Sequence, residues 1–159
     1  MLTADRLKQV LHYEPSTGAF TWLSNRSYSK NAERGTRAGS LAHGYVIISI
    51  DNKKYKAHRL AWLYMTGEFP SSILDHIDRN RSNNAWKNLR EATRGGNAVN
   101  TDKRRNNPLG LVGVTKHGDR FRARISAGRK HLGVFDTAEQ ASGAYAAHAK
   151  TKFGEFFTE

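Results

Sequence analysis

The chain has 159 residues, the size of one domain or of two small modules, which excludes a large multidomain enzyme. It has no cysteine, so disulfides, thiolate metal sites and a cysteine nucleophile are excluded and any metal must be held by oxygen or imidazole ligands. Lys and Arg number 26 against 14 Asp and Glu, a balance of +12 that suits a partner rich in phosphate, and these basic residues are interleaved with aromatic and β-branched ones rather than gathered in a tail.

No apolar run approaches the ~20 residues that span a bilayer, and the first residues, Met1 to Asp5, lack a signal-peptide profile. A soluble, cytoplasmic protein without a membrane partner is expected. Leu2, Leu7, Val10 and Leu11 recur at helical spacing behind Thr3, a good N-cap, and predict a short helix ending near Tyr13. Pro15 to Gly18 form a turn, and Phe20 and Trp22 alternate as one face of a strand. Residues 24–40 are polar and glycine-rich, hence loop. Tyr45 to Ile50, then Asp51-Asn52, then Lys54 to Ala57 predict a β-hairpin with the polar pair at its turn. Leu60, Ala61, Leu63 and Tyr64 predict a buried helix from His58 to Met65, stopped by Gly67 and Pro70.

The stretch 75–100 is rich in Asn and too polar for core, so its residues are expected to be solvated or functional. Hydrophobic periodicity then fades from Gly95 to Pro108, suggesting a short helix running into a basic linker. Beyond a boundary near residue 107, Val112 and Val114, then Phe121, Ala123 and Ile125, then Leu132 and Val134 mark three short strands, with turns at His117-Gly118-Asp119 and Ala127-Gly128. Thr137 and Gln140 form a capping box, and Ala141, Ala144, Tyr145, His148 and Ala149 line one face of a closing helix.

The chemistry concentrates in Asp75-His76-Ile77-Asp78, Asn83-Asn84, Asn88-Leu89-Arg90 and Asn97. Strand alternation sends Asp75 and His76 to opposite sides, so one metal site can use both residues only at a strand end or on a twisted hairpin. With 78–86 as the loop, residues 88–92 can pair back as a second strand, and a helix from about Arg94 would carry Asn97 over it. Asp75 and Asn97, with phosphate oxygens and waters, suit Mg²⁺ or another divalent cation such as Mn²⁺. His76 is the candidate general base for the water that attacks phosphorus, its ordinary pKa near 6.5 leaving neutral imidazole available. Asn88 can tie the loop to the His76 strand and orient the imidazole through a backbone bond. By spacing alone a second reading stays open, because Asp-x-x-Asn patterns are common in turns and a histidine beside an aspartate is often a surface residue.

His58-Arg59-Leu60, Asp75-His76-Ile77-Asp78, Asn84, Asn88-Leu89-Arg90 and Asn97 together resemble the HNH endonucleases of phage and intron homing type, in the subgroup with Asn for the last His. Tyr13 to Gly18, Phe20-Thr21-Trp22, Gly44-Tyr45 and His58 to Trp62 are similar to the segment that precedes the motif in these proteins. The resemblance covers about residues 1–100. It implies a ββα-metal site with His76 as base, Asp75 and Asn97 as metal ligands, Asn88 as the central Asn and Asn84 as a structural loop residue. Asn83 and Ala85 stand where family members often carry Asp and Arg, and Arg79, Arg81 and Arg90 are candidates to make up the lost contact. Arg90 is a candidate DNA contact, as are His58 and Arg59, for which a role in starting the helix is an equal alternative. A phage origin would place the protein in the cytoplasm of the host cell.

In the last third, the parity of Phe121, Ala123 and Ile125 leaves Arg120, Arg122 and Arg124 on the other sheet face, where Arg129 and His131 can join them. A row of arginines repels itself unless it meets phosphates or guanine edges. Gly113-Val114, the strand from Phe121, the run Leu132 to Ala141 and Ala144-Tyr145 resemble the Apetala-two (ethylene-response-factor type) DNA-binding domain over residues 108–157. The resemblance implies a sheet in the major groove with Lys116, Arg122, Arg124, Arg129 and His131 as contacts, although His131 stands where a Trp is usual. The expected architecture is α+β: a ββα-metal nuclease domain with an N-terminal extension (1–100), a basic linker (101–107) whose Lys103, Arg104 and Arg105 follow the DNA backbone, and a three-stranded antiparallel sheet packed on one helix (108–159). The expected function is a metal-dependent, site-selective endonuclease acting on double-stranded DNA, with no small-molecule cofactor and an oligomeric state left open. A DNA-binding regulator with a degenerate nuclease motif is the alternative, and an RNA-binding protein ranks third.

Overall fold

The structure, a computed structural model, describes residues 1–25, 33–93, 107–125 and 130–154. The chain divides into two compact units, Met1–Glu91 and Ala92–Glu159. The expected linker, apart from residue 107, and the expected helix around Asn97 lie outside the described residues. Among the described residues no helix is long and apolar enough to cross a membrane.

In the first unit, Thr3 caps α1 (Ala4–Val10) by accepting a hydrogen bond from the Arg6 amide. The helix was expected to reach Tyr13, but it stops at Val10 because the next four residues change period: Leu11 and Tyr13 are buried, His12 and Glu14 exposed. They form β1 (Leu11–Glu14), antiparallel to β2 (Ala19–Trp22), with Leu11 opposite Trp22 and Tyr13 opposite Phe20. Pairing with β2 covers those side chains more fully than a third helical turn would. The segment 24–40, expected to be loop, is partly tied down: the Ala38 amide donates to the Phe20 carbonyl and Ala38 itself is buried.

A second sheet has the order β3 (Ser40–Ala42), β4 (Tyr45–Ile50), β5 (Lys53–Lys56). Asp51 and Asn52 link the last two strands with φ of 47° and 61°, the left-handed pair that a two-residue hairpin of right-handed twist requires. Directly after β5 comes α2 (Ala57–Thr66), which ends where the amide of left-handed Gly67 bonds the Leu63 carbonyl. Its buried face, Ala57, Leu60, Ala61 and Leu63, joins Leu7, Leu11, Phe20, Trp22, Ile48 and Ile50 in one core. On this frame sit β6 (Ile73–His76) and β7 (Leu89–Ala92), paired with each other and connected by residues 77–88, which end in a 3₁₀ turn at Trp86–Asn88.

The second unit is a three-stranded antiparallel sheet, order β10 (Lys130–Phe135), β9 (Arg120–Ile125), β8 (Val114–His117), with α3 (Ala138–Phe153). Thr137 and Gln140 form the reciprocal capping box at its start. Ala141, Tyr145 and Ala149, one helical turn apart, are buried against Val114, Ala123 and Ile125. The close approach demands a glycine at position 113: a Cβ there would lie 2.2 Å from the Tyr145 ring.

Candidate active site

His76 is the last residue of β6, and both it and Asp75 are buried, at 5% and 6% exposure. Asn84 and Asn88 in the following loop are buried as well. This corrects the expectation that the stretch from residue 75 is too polar to be interior. Polar groups enter an interior when each finds a partner, and here the partners are other members of the same stretch.

The imidazole is held by Asn84. Nε2 of His76 lies 3.2 Å from Asn84 Oδ1, and Asn84 Nδ2 donates to the Ser82 carbonyl at 3.2 Å, which fixes which end of the amide faces the ring. An amide oxygen only accepts, so Nε2 carries the proton and Nδ1 is the basic atom of the ring. Burial lowers the His76 pKa; the bond to Asn84 and the charges of Asp78 and Asp75 pull it up, and Arg81 adds to the lowering. The net direction is down, so the ring is neutral at neutral pH. Asn84, expected only as a loop residue, is the side chain that sets the tautomer.

Asn88 ties the loop. Its backbone carbonyl accepts from the Ile77 amide at 2.9 Å, beside His76, while its side chain accepts from the Asp78 amide and donates to the Asp78 carboxylate and the Asn83 carbonyl. Its side-chain amide thus bonds loop residues, and the bond to the ring is made by Asn84. Asp78 is the hub that the sequence reading missed. Burial by itself would raise its carboxyl, but hydrogen bonds from the Asn83 and Asn88 side chains and the Asn80 amide, with the charge of His76, hold it below its ordinary value. The Asp-x-Asn spacing at 78–80 was the available signal for such a turn.

The N-terminal hairpin holds the loop from below. Tyr13 donates its hydroxyl to the Asn84 carbonyl at 2.7 Å, and the Trp86 amide donates to the Pro15 carbonyl at 2.9 Å. Gly18, at φ 73°, lies so close that a Cβ would stand 2.1 Å from the Asn84 carbonyl carbon.

His58 does not match its expected place at a DNA phosphate. It is 6% exposed in the first turn of α2, with its ring 5.0 Å from His76 and 5.4 Å from Tyr45, edge-on to His76. Its buried Nδ1 has no hydrogen-bond partner. Burial, then the nearby His76, Lys56 and Arg59, lower its pKa to about 3, so it is neutral. The helix-start alternative is the one its position fits. Arg59 is half-buried, its guanidinium 5.7 Å from the Phe69 ring.

Arg90, expected on DNA, instead meets Asp75: Nε and Nη2 lie 3.2 and 3.0 Å from Oδ2, and the two side chains are 12% and 7% exposed. A buried carboxylate demands a cation, and Arg90 supplies one. Among the described residues no three His, Asp or Glu side chains gather as a metal site, and Asn97 lies outside them. A single carboxylate suits Mg²⁺ only as part of a shell completed by phosphate oxygens and waters. The described donors therefore fit the cation with DNA present, Asp75 being the protein ligand among them.

In the second unit, His131 stands opposite Arg124, and Thr115 and Val134 flank Arg122, so Arg122, Arg124 and His131 share one face. Lys116 was expected with them, but it stands opposite Phe121, which has core parity. Arg120 is ion-paired with Asp136 at 2.8 Å, so the arginine row is balanced at one end. Arg122 lies against the His117 ring. Arg129, Lys103, Arg104 and Arg105 are outside the described residues.

The buried His76 with its Asn-rich loop falls inside a segment of known type. Residues 55–99 match the HNH endonuclease family model. An uncharacterized HNH endonuclease of Acanthamoeba polyphaga mimivirus is 36% identical over 111 residues, covering 69% of this chain and 59% of the relative, so the chain spans about three fifths of the relative's length. No solved structure matches the chain. The family match spans the cluster around His76.

Proposed function

We propose that the protein is a site-selective DNA endonuclease of homing type, in which His76 takes a proton from the water attacking a phosphodiester and the C-terminal sheet, an Apetala-two-like module, supplies recognition. The observation that carries this reading is the held tautomer: Asn84 fixes the proton on Nε2 of a buried, neutral imidazole within the HNH-matched segment. A base must be neutral to accept a proton, and its orientation must be set before the substrate arrives. The loop network of Asp78, Asn83 and Asn88 keeps Asn84 in place, and Arg122, Arg124 and His131 form a cationic sheet face suited to phosphates and guanine edges. Asp75 and Asn97 would hold a divalent cation such as Mg²⁺, which when bound supplies stabilisation of the charge on the phosphorane and the departing 3′ oxygen.

The carboxylate of Asp75, neutralised by Arg90, favours one second reading, a DNA-binding regulator that does not cut. A supercoiled-plasmid assay of wild type and His76→Ala, each with Mg²⁺ or EDTA, separates the two. Relaxation by wild type with Mg²⁺ alone, abolished in His76→Ala, is the expected result. Equal behaviour of both proteins would remove His76 from the chemistry.

A further inference from the structure

Beside His76 the structure gathers a pair of cations, Lys56 and Arg81, on one aromatic ring. Tyr45 opens β4, and its half-buried ring lies 6.3 Å from the His76 ring. Lys56 Nζ sits 4.0 Å from the centroid of that ring, and the Arg81 guanidinium carbon 5.2 Å from the same centroid. One aromatic ring therefore holds two like charges within roughly 10 Å of each other, about one Debye length at 0.1 M salt. Neither cation has a carboxylate partner among the described residues. Exposed cation–π contacts contribute only ~0.5–1 kcal/mol each, so two cations share the ring more favourably once an anion joins them.

The local backbone points the same way. Lys56 is the N-cap of α2, its side chain makes no capping bond, and the first turn of the helix has no acidic residue. The positive end of the helix therefore adds to the two side-chain charges. In that first turn, His58 keeps a buried Nδ1 without a partner.

We propose that Lys56 and Arg81, seated on Tyr45, form a clamp for a backbone phosphate of duplex DNA next to the phosphate that faces His76. With a rise of ~3.4 Å per nucleotide along a strand, the 6.3 Å between the Tyr45 and His76 rings puts the clamped phosphate one or two nucleotides from the scissile one. The proposal rests on the nuclease reading and specifies how that site grips its substrate. Arg81 lies in the loop that Asn84 and Asn88 organise and Lys56 at the start of α2, so the clamp couples substrate position to the frame that holds the base.

The test is duplex binding by fluorescence anisotropy in EDTA over a salt series from ~50 to ~200 mM. It compares wild type, Lys56→Ala/Arg81→Ala, the charge-keeping Lys56→Arg/Arg81→Lys, and a control, Lys53→Ala/Lys54→Ala, which removes two exposed lysines of the same strand. The clamp predicts about ten- to a hundred-fold weaker binding for Lys56→Ala/Arg81→Ala, and a slope of log K against log salt that falls by ~0.9 for the one phosphate released. Lys56→Arg/Arg81→Lys should restore both values, and the control should change neither. An unchanged slope, an equal loss in the control, or a loss seen with duplex RNA and not with DNA would overturn it. Binding is read without metal, so a wild type that binds but does not cut defeats the nuclease reading and leaves the clamp to be judged by its slope.

Discussion

Replacing Asn84 by alanine isolates the contact on which the proposed base, His76, depends. Asn84 is 2% exposed, and its side chain makes the bond to His76 Nε2 and the bond to the Ser82 carbonyl. Removing it strands a buried imidazole N–H, a loss of about 1–3 kcal/mol. For a folding unit of this size each kcal/mol lowers the melting temperature by ~4–8 °C, so a fall of roughly 5–20 °C is expected in thermal unfolding without DNA. The proton is then free to move to Nδ1 and the ring to turn, so single-turnover cleavage should fall ~10- to 100-fold, within the range general-base catalysis supplies. Asn84→Asp provides the sign test. Its carboxylate would stabilise the imidazolium and raise the His76 pKa, moving the acidic limb of the pH–rate profile upward; in wild type that limb lies below the ordinary histidine value because burial lowers the pKa. An Asn84→Ala protein that cuts at the wild-type rate with an unmoved acidic limb would refute the assignment of the tautomer to Asn84.

Gly18→Ala puts a Cβ 2.1 Å from the Asn84 backbone at a φ of 73°. Left-handed strain of ~1–2 kcal/mol and overpacking of ~1–3 kcal/mol should destabilise the first unit by several kcal/mol in urea denaturation, and a melting temperature within a degree of wild type would contradict that packing. Arg90→Ala leaves Asp75 as a buried, less compensated charge and should cost about 3–5 kcal/mol, most of it regained in Asp75→Asn/Arg90→Ala. A double-mutant cycle without coupling would deny the ion pair its role. Acid stability follows from His58: its pKa falls from the ordinary 6.5 to about 3 in the fold, so the unfolded chain binds the extra proton and stability present above pH 6.5 is lost as pH falls towards 3. His58→Phe should flatten that part of the stability–pH curve, with Asp78, also lowered by folding, still contributing below the ordinary carboxylate range. An unchanged slope between pH 6 and 4, measured by denaturation, would count against a buried neutral His58.

The local elements were legible because their signals are local. The Asp51-Asn52 turn, the Thr137–Gln140 capping box and the parity of Phe121, Ala123 and Ile125 each need only a few neighbouring residues to be recognised. Where two local signals competed, the sequence misled: Leu11 continues a helical stripe and also starts an alternating strand, and contact with β2 decided for the strand. Lys116 is a DNA contact only by the family resemblance, and its pairing with Phe121 puts it at the parity opposite to that of Arg122 and Arg124.

The sequence by itself determined which residues are candidates for the chemistry, because an imidazole, a carboxylate and a set of amides are recognisable from residue type and spacing alone. Only the tertiary structure decided what each one does. Whether Asn84 or Asn88 turns its amide to His76, whether Arg90 faces DNA or Asp75, and whether His58 reaches solvent depend on contacts between residues as far apart as Tyr13 and Asn84. Such contacts follow from burial, where every polar group must find a partner, and the partner found depends on how the core brings distant segments together.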